Sequence, residues 1–141
     1  MAIQKANQID ETSNVIKTLT PIYINEQELY SKVVDFKATK DLKTPTLDQS
    51  LCKIAEMRLG EVSRNWSHDD FIANNMWLFA VTALPNLSEN LAKNQLSAQQ
   101  VLTEWENSPT HLANLMKTDT GLCIRCANID SINYCVYISG Y

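Results

Sequence analysis

At Gly121 the hydropathy of this chain changes period, from three-to-four to two, and that change limits what it can fold into. Leu122, Ile124 and Cys126 alternate with Cys123, Arg125 and Ala127, and Tyr134, Val136 and Ile138 alternate with Cys135, Tyr137 and Ser139. Successive side chains on a strand point to opposite faces, so each run has the pattern of a strand. Between them, Asn128-Ile129-Asp130-Ser131 has the composition of a turn. The pattern predicts a β-hairpin whose second strand runs to the last residues. A two-stranded hairpin is marginal in water by itself. It must pack on the helices that precede it and pair with another short strand upstream, which makes the domain α+β or layered α/β/α.

The upstream residues supply those helices. Asn25 with Glu28 has the spacing of a helix N-cap, and Tyr30, Val33 and Val34 follow on one side of a helix reaching about Thr39. Thr46 with Gln49 predicts a second capping box. Leu47, Leu51, Ile54, Ala55, Arg58 and Val62 then recur every three or four residues to residue 64. Asp69 or Asp70 is suited to cap a third helix carrying Ile72, Met76 and Phe79, which Pro85 and Asn86 end. Ser88 to Ala92 reads as a short irregular or helical element. Ser97 and Gln100 cap a helix with Ala98, Val101, Leu102 and Trp105 on one face, and Pro109, behind Ser108, opens a last short helix from His111 to about Met116.

Composition narrows the functional classes. A chain of 141 residues, 45% hydrophobic and 20% charged, suits one soluble domain with a core of its own. The net charge of −4 argues against nucleic acid as partner, since phosphate binding needs clustered Lys and Arg. No apolar run is long enough to cross a bilayer. The first twenty residues are polar and lack the apolar core of a secretion signal, so either the protein is not secreted or its signal is not among these residues. Four cysteines bear on that choice. Cys52, Cys123, Cys126 and Cys135 permit two disulfides in three connectivities, and three of them cluster within thirteen residues. The spacing of Cys123 and Cys126 would also suit a metal knuckle, but residues three apart on a strand face opposite sides.

An ordered set of motifs from Thr46 to Tyr141 resembles the CAP superfamily of cysteine-rich secretory, antigen 5 and pathogenesis-related proteins, in its compact bacterial form. Leu47 to Leu51 with Ile54-Ala55 is similar to the family's first core helix, and His68 with Phe71 to its first histidine motif. Ser88-Glu89-Asn90-Leu91-Ala92 resembles its Gly-Glu-Asn box. Ser97 to Val101, Trp105, and Asn107 through Met116 resemble its helix and second histidine motif, and Tyr134 to Gly140 its closing strand. The resemblance implies a three-layer α/β/α sandwich of the CAP/SCP type with a small antiparallel sheet and C-terminal hairpin. The domain is expected to span residues 25–141, its opening helix marked by no family motif, with 1–24 a partly disordered N-terminal arm.

Carried over by motif, a cleft should gather His68, Glu89 and His111. Ser108 stands where many relatives have a second acid, with Glu104 and Glu106 only nearby, and Ser88 replaces the glycine before the Glu-Asn pair. Two imidazoles and a carboxylate would suit Zn²⁺ or another divalent cation, or acid–base work. The opposing reading is structural, with Glu89 holding two loops together. His111, near a helix start, should have a lowered pKa from the helix dipole. No Gly-x-Ser-x-Gly elbow supports the serines near His68 and His111, and the chain has three glycines. Trp77 and Trp105 fit core packing, while Trp66 could join an aromatic wall. The expected pairing is Cys126–Cys135 across the hairpin and Cys52–Cys123 from helix to sheet. The expected function is an extracellular or periplasmic binding or effector module whose cleft takes a metal ion, a lipid-like small molecule or a protein partner; a metal-dependent hydrolase, a peptidase or esterase, is the alternative.

Overall fold

A computed structural model describes residues 21–74, 78 and 81–141. Its first helix, α1 (Glu26–Thr39), starts where expected: Asn25 accepts the Glu28 N–H at 2.9 Å. It ends in a Schellman turn. Leu42 N–H reaches Lys37 O, Asp41 N–H reaches Ala38 O, and Asp41 takes φ 57° in place of the usual glycine. The buried face is Leu29, Val33 and Lys37, a row at i, i+4 and i+8, with Tyr30 and Val34 only half-buried beside it.

The second helix, α2 (Gln49–Arg64), begins later than its sequence signal. Asp48, not Thr46, is the cap, accepting the Ser50 and Leu51 N–H groups at 2.8 and 3.1 Å. Thr46 is otherwise engaged. Its N–H donates to Thr120 O, and Thr46–Leu47 form a two-residue strand, β1. Leu47 therefore leaves the helical stripe and stays exposed. The remaining stripe is buried, Arg58 included. A third helix, α3 (Asp69–Ala73), is short, with His68 at its N-cap position and Ile72 67% exposed, not buried as its spacing suggested. Met76, Trp77 and Phe79 lie outside the described residues, as do residues 1–20 of the arm.

Ser88 to Ala92 corrects the irregular or helical reading: it belongs to strand β2 (Leu87–Lys93), paired antiparallel along its whole length. Neighbouring chain overrides local propensity here, because β2 is the upstream strand that the hairpin requires. Helix α4 (Ala98–Asn107) is capped by Ser97 and buries Ala98, Val101, Leu102 and Trp105. Helix α5 (Pro109–Leu115) has Pro109 at its start. The hairpin comprises β3 (Gly121–Ile129) and β4 (Ile132–Gly140), joined through Asp130 and Ser131. Both joining residues have positive φ, 53° and 66°, as a type I′ turn requires.

The strand order is β1-β3-β4-β2. The sheet is antiparallel except at β1, which runs parallel to Gly121–Leu122. Both faces are covered. Leu122, Ile124, Cys135, Tyr137 and Ala92 pack with Leu29, Val33, Val101, Trp105 and Leu115 of α1, α4 and α5. Cys123, Val136, Ile138, Leu91 and Tyr134 pack with Leu51, Ile54, Ala55, Leu59 and Val62 of α2. This is the expected three-layer sandwich. Gly121 fits because the layers close tightly there: a Cβ would stand 3.1 Å from Asp48 Cβ. Two disulfides join these parts, Cys52–Cys123 from α2 to β3 and Cys126–Cys135 between directly opposed residues of the hairpin. No cysteine among the described residues is free.

Candidate site at the outer edge of strand β2

Strand β2 lies at the edge of the sheet, and its alternation assigns neighbours to two layers. Glu89 faces the α2 side and Asn90 the α5 side. Two of the strand's backbone carbonyls are taken up by side chains. Trp105 Nε1–H donates to Leu91 O at 3.0 Å, and Asn114 Nδ2 donates to Glu89 O at 3.1 Å. Asn114 also donates to Asn90 Oδ1, and Asn90 Nδ2 donates to His111 O. Helix α5 is thus pinned to β2 beside Glu89, which carries His111 to this edge.

Glu89 is buried, and its carboxylate is held from the other side. Arg58 grips it with two nitrogens, Nε to Oε2 at 2.6 Å and Nη2 to Oε1 at 3.0 Å. Arg58 is itself fully buried. It also donates to Glu61 Oε1 and to Ser67 O, the residue before His68. Burial alone would lower the Arg58 pKa; the bond to Glu89 and its charge more than reverse this, leaving it raised. A forked guanidinium on a carboxylate is the strong geometry for a buried ion pair. Bound also to Ser67 O, Arg58 fixes the loop that delivers His68.

His68 Nδ1 meets Glu89 Oε1 at 2.9 Å, with its side chain 49% exposed. A carboxylate accepts, so Nδ1 carries a proton toward Glu89, and Nε2 is the ring nitrogen not engaged by it. His68 makes no side-chain cap bond to α3; Ser67 Oγ takes the Asp69 N–H instead. His111 bonds to neither His68 nor Glu89, and its buried Nδ1 has no hydrogen-bond partner among the described residues. Its pKa is lowered as expected, but burial is the main cause and the nearby His68 the second, against a smaller pull from Glu104.

The fold therefore brings Glu89 and His68 into contact and places His111 alongside. Their fit to a divalent cation is partial. The histidines have nitrogens to offer, but both Glu89 oxygens are engaged, and among the described residues no three His, Cys, Asp or Glu side chains gather closely enough to hold a metal. Arg58 is the member that residue-by-residue reading missed. Its signal was present: an arginine in the middle of an apolar helical stripe must bury its charge and needs a buried acid to meet it. Ser88, at the position of the family's glycine, is buried and accepts a bond from Lys117 Nζ at 2.7 Å.

The domain is thus a three-layer α/β/α sandwich closed by a disulfide-bonded hairpin, with two histidines and a glutamate at one sheet edge. The sequence profile of the cysteine-rich secretory protein family, CAP, matches residues 30–135, and the chain belongs to that family. Two solved structures share the fold. An outer surface protein of Borrelia burgdorferi is 22% identical, with a TM-score of 0.73 over 86% of this chain and 98% of that one. A cysteine-rich secretory protein of Staphylococcus aureus is 15% identical, with a TM-score of 0.64 over 80% of this chain and 38% of that one. No curated protein sequence matches this chain detectably.

Proposed function

We propose that this domain is an extracellular or periplasmic binding module whose recognition edge is the pair His68 and His111, with Arg58 and Glu89 as its buried support. The observation that carries this reading is the His111 imidazole, with a buried ring nitrogen that has no partner among the described residues, beside a second, half-exposed histidine. A buried polar atom without a partner is costly, and a ligand that supplies one recovers that cost. Two disulfides suit an oxidising compartment. Among the described residues no helix is long and apolar enough to cross a membrane. The hydrolase reading has less support. All four cysteines are in disulfides, Ser67 Oγ accepts the Asp69 N–H, Ser108 Oγ neighbours Thr110 Oγ1, and no described hydroxyl or thiol bonds a histidine.

Zn²⁺ tests the site directly, because it binds neutral imidazole. Titrated into the protein, it is expected to raise Tm saturably, and the His68→Ala, His111→Ala double variant should not respond. An unresponsive wild type removes the metal version of the proposal. Turnover on an ester or peptide panel that the double variant abolishes would replace the binding reading with the hydrolase.

A further inference from the structure

The opposite edge of the sheet carries a second feature, independent of the histidine edge. Strand β1 pairs with β3 only at Gly121 and Leu122. Beyond that point, among the described residues, no strand lies outside β3. Asp48 N–H donates to Leu122 O on this side. By alternation, the backbone groups of Ile124, Cys126 and Asn128 also face outward. Natural sheets protect such an edge, and here the protection is a side chain. Glu26 Oε1 accepts the Cys126 N–H at 2.9 Å, where the carbonyl of a neighbouring strand would sit. Beside it opens a cleft of 420 Å³, lined by Glu26, Gln27, Tyr30, Leu47, Ile124 and Arg125. Leu47, 53% exposed, gives it an apolar wall, while the Ile124 side chain turns into the core and leaves its backbone at the lane.

We propose that this cleft is a docking lane for an extended, basic peptide segment of a protein partner, which displaces Glu26 and continues the sheet from β1 along β3. The plug is readily displaced. Glu26 and Glu56 both reach Arg125, at 3.4 and 3.2 Å, with side chains 33% and 60% exposed. Such partly exposed, solvent-screened pairs hold only weakly. The charge of the partner follows from the same trio: two carboxylates face one guanidinium, so the rim is left net negative and a Lys or Arg on the incoming strand completes it. Backbone pairing to Cys126 would supply affinity and the exposed Leu47 side chain an apolar contact, the division of labour usual when a peptide adds to a sheet edge.

The test uses two fluorescein-labelled pentapeptides, Thr-Val-Lys-Val-Thr and Thr-Val-Glu-Val-Thr, read by anisotropy on the whole chain. The lysine peptide should bind saturably, at least about tenfold tighter than the glutamate peptide, and should shift the Cys126 amide resonance. Leu47→Arg, at an exposed position the fold does not need, should weaken it by a similar factor. The proposal is overturned by no saturation up to about 1 mM, by equal affinity for the two peptides, by binding that Leu47→Arg leaves unchanged, or by a Cys126 amide that does not move. Self-association in sedimentation without peptide binding would also overturn it, assigning the lane to a second copy.

Discussion

Glu89 and His111 show how single residues at this site depend on what is buried beside them. Glu89 stands against a fully buried guanidinium, so its value lies less in the attraction than in the charge it prevents from being stranded. Glu89→Gln keeps the shape and leaves Arg58 with only the partly exposed Glu61 as counter-charge, which should cost about 3 kcal/mol, read as a lower urea midpoint at unchanged slope. Glu61→Gln is the control: Glu61 also bonds Arg58 but is partly exposed, and its loss should cost under about 1 kcal/mol. Equal costs would mean that the pair is not the anchor described. His111 makes stability depend on pH. Its folded pKa lies below the ordinary 6.5, so between the two values the unfolded chain holds more protons. Stability therefore rises with pH through that window, is fully present above 6.5, and is lost as pH falls through it. Replacing His111 by Asn should flatten this part of a Tm–pH profile, and an NMR titration of the His111 ring with its midpoint at or above 6.5 would contradict it.

At the scale of elements, the helices were legible where an apolar stripe and a cap agreed. The face of α4, from Ala98 to Trp105, is buried as its spacing predicts, under the Ser97 cap. Two elements were not legible, for the same reason. Thr46–Leu47 carries a capping signal yet forms a strand, and Ser88–Ala92 carries no clear strand pattern yet forms β2. In both, partners distant in sequence decide the backbone: Gly121–Leu122 for β1 and Tyr134–Gly140 for β2. Local periodicity contains no record of those partners. The edges of the sheet tell the same story. Trp105 and Asn114 cover two carbonyls of β2, and Glu26 covers Cys126 of β3. Each of these side chains lies on a helix from a different part of the chain, and nothing in its own neighbourhood marks it as an edge cover.

In the whole molecule, two cross-links bind the layers with unequal reach. Cys52–Cys123 closes a separation of 71 residues and joins α2 to the sheet, while Cys126–Cys135 closes 9 within one hairpin. Loop-closure entropy assigns them about 4 and about 2.5 kcal/mol. The Cys52→Ala, Cys123→Ala variant should accordingly melt below the Cys126→Ala, Cys135→Ala variant; the reverse order would show that the hairpin, not the layer contact, is the weaker joint. The second buried ion pair works at this scale as well. Lys37 on α1 donates to Leu115 O, Lys117 O and Asp119, gathering the end of α5 and the entry to β3 in one contact. By itself the amino-acid sequence determined the hairpin, the helices with their buried stripes and the motif order that marks the family, because periodicity and capping act over a few residues. Only the tertiary structure decided that Arg58 grips Glu89, that Glu89 in turn orients His68, and which strand edges remain open, because a buried charge or an unpaired backbone group finds its partner across the fold.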